Sequence, residues 1–206
     1  MAESLMQIRR KVRTRTGTPG SDQFNDDGVI DDAVNMAIQS IESEQRWPWL
    51  QAITPHTVTA GDPTIVLPAD WRATRFLFLD DDELVGISPS DLYMRPTNQH
   101  GRPEVYAIIG SEIHVRPVPA SEFVLNHLYY RTAGTLTDDA DTVVLPDQFV
   151  GAIVAKAAEL LSIREDDRAA AASHLAEYAQ WVVRMRREAR RISGPLRVRV
   201  REGSWI

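Results

Sequence analysis

The stretch Trp47-Pro48-Trp49-Leu50 divides this chain into two grammars. Before it, apolar residues recur at helical spacing; after it, short alternating runs separated by turn residues take over. Pro48 has no amide to donate and biases Trp47 away from the helical region, so a helix must stop near Arg46. The two indoles then place a large apolar area where the chain changes direction. Trp47, Pro48, Trp49 and Leu50 are expected to form a structural seam between a helical and a β module, with the indoles packed in the core.

Working back from the seam, residues 26–46 read as a helix that begins at Asp26 or Asp27. Its stripe is Ile30, Val34, Ile38 (or Ala37) and Ile41, with acids in the first turn where the macrodipole favours them. Thr16-Gly17-Thr18-Pro19-Gly20-Ser21 breaks the chain, and residues 2–15 form a first helix with Leu5, Ile8 and Val12 on one side.

Working forward, the strand candidates are His56–Thr59, Thr64–Leu67, Arg75–Leu79, Leu84–Gly86, Glu104–Ile109, Glu112–Arg116 and Phe123–Arg131. The clearest hairpin pairs Val105–Ile109 with Ile113–Val115 around Gly110-Ser111, and Asp80-Asp81-Asp82 separates another pair. Ser88–Tyr93 reads as a short capped helix with proline in its first turn. Helical spacing returns at Pro146-Asp147 with Phe149, Ile153, Ala157 and Leu160 (or Leu161). It resumes after Glu165-Asp166-Asp167 with Ala171, Leu175, Tyr178, Trp181 or Val182, and Met185, and Gly194-Pro195 ends it. The fold class is α+β: a helical bundle made of an N-terminal helix pair and two C-terminal helices, with an inserted antiparallel β-sandwich or small barrel. The expected divisions are 1–50 and 146–193 for the bundle, 51–145 for the β lobe and 194–206 for an extended arm.

That arm is Leu196-Arg197-Val198-Arg199-Val200-Arg201, closing in Trp205-Ile206. Strict alternation puts apolar side chains on one face and arginines on the other, which suits a strand that adds to a partner. Charge is uneven as well: residues 1–16 carry +4 and residues 184–206 carry +6, leaving −16 on the middle of a chain whose net charge is −6. Of 23 basic residues only Lys11 and Lys156 are lysines, a bias towards planar, bidentate contacts at protein interfaces or phosphates. An acidic body with basic ends is unlike a dedicated nucleic-acid binder and suits head-to-tail association of copies.

The chain is long enough, at 206 residues, to bury a real core, and its 43% hydrophobic content reads as soluble and globular. It has no apolar run of membrane-spanning length and no apolar stretch of a secretory signal, so an intracellular origin is expected. Zero cysteines exclude disulfides, iron–sulfur clusters and thiolate catalysis. The histidines at 56, 100, 114, 127 and 174 share no ligand spacing, although His114 and His127 fall in strands that could align across a sheet. No phosphate-binding glycine loop occurs. Asn25-Asp26-Asp27-Gly28 resembles part of a calcium loop but puts Val34 where its bidentate glutamate belongs, so it reads as a helix cap. Asp80–Glu83 and Asp138–Asp141 read as solvated turns, or more sharply as a negative lumen or a docking surface for arginine arms. A hydrolase using the Asp80–Glu83 carboxylates lacks any supporting motif. No catalytic residue, metal or cofactor is expected, and the chain reads as a non-enzyme.

The order of motifs resembles the head-to-tail adaptor (connector) family of tailed phages, including proteins similar to tail tubular protein A. The resemblance rests on the N-terminal helix pair, Trp47-Pro48-Trp49-Leu50, Leu67-Pro68-Ala69-Asp70-Trp71-Arg72 and Gly101-Arg102-Pro103-Glu104-Val105-Tyr106. It continues with Ile108, Gly110, Ile113, Val115, Pro117 and Tyr129-Tyr130, then Leu145-Pro146-Asp147-Gln148-Phe149 leading into two helices. It implies a structural virion protein at the portal–tail junction, a ring, commonly dodecameric, that docks on the portal and continues the DNA channel. Its implied partners are the portal, neighbouring copies, a tail, nozzle or terminator protein, and DNA in transit, with no membrane. Leu196, Arg197, Val198, Arg199, Val200, Arg201, Trp205 and Ile206 would then bind the portal or a neighbour. Two alternatives stay open: a tail-completion or terminator ring protein, and a carbohydrate- or nucleic-acid-binding module on a helical scaffold.

Overall fold

A computed structural model of the chain describes residues 3–17 and 26–193. It is α+β and divides into two compact units, one built from residues 1–49 and 135–206, the other from residues 50–134.

The helical unit contains α1 (Leu5–Thr16), α2 (Asp27–Glu44), α4 (Val150–Arg164) and α5 (Arg168–Ser193). Ser4 caps α1 in a capping box with Gln7, and Asp26 caps α2 by accepting from the Gly28 amide. The stripes of the first two helices are covered as their spacing requires: Leu5, Ile8 and Val12 on α1, and Ile30, Val34, Ala37, Ile38 and Ile41 on α2. Helix α4 packs against α1, α2 and α5, and it buries Ala152, Ile153, Ala155, Ala157, Ala158 and Leu161. Gly151 lies against the Trp181 indole so closely that a Cβ there would meet ring carbon at 2.5 Å. On α5 the buried stripe is Ala171, Tyr178, Val182, Met185 and Ala189. Leu175 departs from expectation and is 48% exposed, because the half-buried His174 takes the inward place one residue earlier. The two chain segments are stitched at their start, where Ser4 bridges Thr142 and the Leu5 amide donates to the Asp141 carbonyl at 2.9 Å.

In the β unit, β1 (Gln51–Val58), β3 (Trp71–Leu79), β4 (Asp82–Glu83) and β10 (Phe123–Arg131) form one sheet in the order β1-β10-β3-β4. A second sheet has the order β2-β8-β7-β5, from β2 (Thr64–Val66), β5 (Val85–Gly86), β7 (Val105–Ile109) and β8 (Glu112–Arg116). Strands β6 (His100–Gly101) and β9 (Val118–Pro119) pair separately, and α3 (Pro89–Tyr93) is capped by Ser88. One buried cluster draws Val58, Leu77, Leu79 and Leu125 from the first sheet and Ile65, Ile113 and Val115 from the second. The sheets are open at their edges and share that core, so the barrel alternative is ruled out. Pairing is mostly antiparallel; β5–β7 and β6–β9 are parallel.

Three strands differ from their sequence reading, each for a local reason. Strand β1 starts at Gln51, ahead of Pro55, because an edge strand tolerates proline where its nitrogen faces away from the ladder. Strand β3 starts at Trp71, where Arg75 and Arg72 are extra residues at register shifts against β10 that interrupt the period-2 pattern. The single candidate Leu84–Gly86 is split. Asp82–Glu83 pairs with the first sheet, Val85–Gly86 with the second, and the buried Leu84 stands between them.

Candidate functional site

At the seam, α2 ends at Glu44 and a single 3-10 turn, Pro48–Leu50, leads straight into β1. Trp47 is fully buried and its Nε1 donates to the Ile41 carbonyl at 2.6 Å. Its ring stacks on Trp49 at 4.8 Å and 13°, and Trp49 in turn tilts against Phe149 at 5.4 Å. Trp49 is only half-buried, yet its Nε1 is covered and has no hydrogen-bond partner among the described residues. Leu50 is buried. Residues 194–206, which hold the whole arm Leu196–Arg201 with Trp205 and Ile206, lie outside the described residues, as does Asn25.

The N-terminal cations meet the chain's own acids. Arg9 is buried and grips Asp31 with two bonds, Nε–Oδ1 at 2.8 Å and Nη2–Oδ2 at 2.7 Å. Its Nη1 reaches Asp139 at 2.9 Å and Asp27 at 3.3 Å. Hydrogen bonding to Asp31 outweighs burial and holds the Arg9 guanidinium above its ordinary value. Arg13 pairs with Asp27, Lys11 with Glu3 at 2.5 Å, and Arg15 with Glu177. Four of the five N-terminal cations are therefore paired with acids of their own unit, and Arg10 stays exposed. Asp139 is absorbed the same way, while Asp141 accepts from the Thr137 and Asp138 amides, which lower its pKa.

The carboxyl half of α5 keeps its charge at the surface. Arg186 reaches Glu44 at 2.7 Å and Arg191 reaches Glu188. Arg184 lies over the Trp181 ring at 5.0 Å, and Arg187 and Arg190 are exposed without an acid partner among the described residues. Tyr178 donates to Glu44 at 3.4 Å, and burial first, then the Glu44 charge, raises its phenol. In the β unit, Asp80–Glu83 turn from β3 into β4, where Arg102 contacts Asp82 at 2.9 Å and Asp80 at 3.3 Å.

Histidines also group differently from expectation. His114 lies on β8 beside Glu112 at 3.2 Å, whereas His127 lies on β10 in the other sheet, so those two do not align. His127 instead meets His56 on β1, with ring centroids 5.5 Å apart. Its Nε2 shares a 2.9 Å hydrogen bond with Thr74 Oγ1, which also accepts from Trp71 Nε1 at 3.1 Å. The Tyr129 ring tilts against His127 with centroids 5.0 Å apart, and its hydroxyl donates to Asp70 at 2.8 Å. His127 Nδ1 and His56 Nε2 are buried without partners among the described residues. Burial first, then the His56 charge, lowers His127 to about 4; burial alone lowers His56. Period-2 counting could not find this pair, because it depends on the β1–β10 register.

Among the described residues, no group of three or more His, Cys, Asp or Glu side chains is placed to hold a metal, and no helix is long and apolar enough to cross a membrane. No curated protein matches the chain at a significant level. Residues 4–199 match the family described as SU10 adaptor protein, a span that takes in both units and reaches six residues into the arm. The chain belongs to that phage head-to-tail adaptor family.

Proposed function

We propose that copies of this chain form a ring, commonly of twelve in proteins of this kind, that docks on the portal and continues the DNA channel into the tail. The work is mechanical: position, seal and hand over, with no bond made or broken. The observation that supports this reading is the extent of the family match, which runs from the first helix through the β unit and beyond the end of α5. Portal, tail components and DNA in transit are its partners, and the virion is its place.

Leu196, Val198, Val200, Trp205 and Ile206 give the terminal segment an apolar side, and Arg197, Arg199 and Arg201 a basic one. In this reading that segment grips the portal or a neighbouring copy. Deleting residues 194–206 should leave far-ultraviolet dichroism and thermal unfolding unchanged and abolish co-sedimentation with purified portal rings. A truncated chain that attaches normally refutes the role of the arm. Replacing Arg197, Arg199 and Arg201 by glutamate should weaken attachment and flatten its salt dependence, since exposed charge pairs are screened by salt. Unchanged binding at low salt would mean that docking is purely apolar.

A further inference from the structure

Helix α5 has a second face that nothing in its unit covers. Between Ala169 and Val183 its only charged side chain is Glu177, which is tied to Arg15. Beside the buried stripe stand Ala172, Leu175, Ala176, Ala179 and Val183, all exposed, with Leu175 at 48% and Val183 at 47%, and the exposed polar Ser173 and Gln180 lie beyond them. An exposed apolar flank of this length beside a buried stripe suits a helix with a second packing partner. One turn further the same outward face becomes Arg187 and Arg190, so it runs from apolar to cationic.

The β unit carries the complementary sequence of surfaces. Leu77, Leu79 and Leu125 point into the core, so Phe76, Phe78 and Val124 stand on the outer face of the first sheet. Ile53 on β1 is 69% exposed and pairs with Leu128, and Val124 is 50% exposed. Phe76 and Phe78 lie 5.7 Å apart across the middle of that face. Its far edge is acidic: Glu83 sits opposite Phe78, and Asp81 tops the turn, both without a cation among the described residues. Arg102, the cation at that turn, is engaged with Asp80 and Asp82.

We infer that the outward face of α5 in one copy lies on the outer face of the β1-β10-β3-β4 sheet in the next copy. Leu175, Ala179 and Val183 then cover Val124, Ile53 and the two phenylalanines, while Arg187 and Arg190 meet Asp81 and Glu83. The two surfaces differ, so the contact is heterologous: each copy offers one of each, and repetition closes a ring or extends a filament. Alanines along the helix let it approach the sheet closely, and the apolar-to-charged order on both surfaces fixes the direction in which the helix lies. This inference rests on the ring reading and names its subunit contact.

Charge reversal tests it, because every residue involved is exposed and the fold should be indifferent. Sedimentation velocity of the full chain is compared with Arg187→Glu/Arg190→Glu, with Asp81→Arg/Glu83→Arg, and with all four together. Each pair should weaken self-association by about tenfold or more, and the combination should restore it to within about threefold of the unaltered chain. A ring indifferent to both pairs, or a combination that does not recover, overturns the inference and leaves the ring reading standing. A chain that stays monomeric at every concentration, with and without portal, overturns both. Since the chain has no cysteine, Val183→Cys and Val124→Cys proteins mixed in equal amounts provide a second readout. A bis-maleimide should give mixed dimers that neither protein yields alone. Absence of those dimers from rings seen by electron microscopy counts against the contact, and its α5 face would then be free for DNA phosphates or the terminal segment.

Discussion

Acid should loosen the β unit through His127, starting as pH falls below about 6.5. The ring is fully covered, and in its cationic form both nitrogens need acceptors, yet Nδ1 has none. Its folded-state pKa of about 4 lies below the ordinary 6.5, so folding favours the neutral form. Above pH 6.5 both folded and unfolded states are neutral and the contribution is complete. As pH falls from 6.5 towards 4 the unfolded chain takes up a proton that the folded chain refuses, and the contribution drains away. A shift of this size, at about 1.4 kcal/mol per unit, corresponds to a loss on the order of 3 kcal/mol. Asp62 and Asp141 act in a different window: their lowered pKa values contribute above the carboxylate range and are lost only on falling through it. The assay is urea unfolding at pH 7.5, 5.5 and 4.5 for the native chain and for His127→Gln. The stability gap between them should narrow by about 3 kcal/mol over that range. A gap that stays constant, or a His127 ring that titrates near 6.5 by nuclear magnetic resonance, refutes the reasoning.

Other predictions follow from single contacts. Trp47→Ala should cost roughly 3–5 kcal/mol by denaturant unfolding and exceed Trp49→Ala, because only Trp47 is fully enclosed and bonded to Ile41; the reverse order would mean Trp49 carries the seam. Arg9→Ala should cost about 3 kcal/mol by leaving the mostly covered Asp31 uncompensated. Arg9→Met together with Asp31→Leu should recover most of that, and no recovery in the double variant would show the ion pairs to be net stabilising. Gly151→Leu should lower the thermal midpoint by driving α4 from Trp181, whereas an unchanged midpoint would show that the indole yields freely.

Much of the helical unit could be read from spacing, because a stripe such as Leu5, Ile8 and Val12 has one periodic solution. Leu175 escaped because neighbouring residues at i+3 and i+4 both fit a 3.6 period, and packing chose His174. The β unit was read less completely because strand limits depend on partners. Pro55 looks like a stop until β1 is known to be an edge, and the bulges at Arg72 and Arg75 hide four residues of β3. The pairing of Leu84's neighbours with opposite sheets has no one-dimensional signature. Charge misled in a similar way. Five basic residues near the N-terminus read as a basic end open to a neighbouring copy, whereas Arg9, Lys11, Arg13 and Arg15 face acids of the same chain up to 162 positions away in sequence. Family membership was readable because it rests on the order of motifs along the chain, several of which, such as Pro48, Pro68 and Gly110, mark turns between elements.

The bridge between Ser4 and Thr142 sets an order of events on the ribosome. The β unit is one continuous stretch, so it has all its strands as soon as residue 134 has emerged. Helices α1 and α2 are made first but must wait for α4, about a hundred residues later, before their stripes are covered. At 5–20 residues per second that is roughly 5–20 s of exposed Leu5, Ile8, Ile30 and Ile41. The oldest part of the nascent chain is thus the last to settle, and it is the part for which a holding chaperone would matter most.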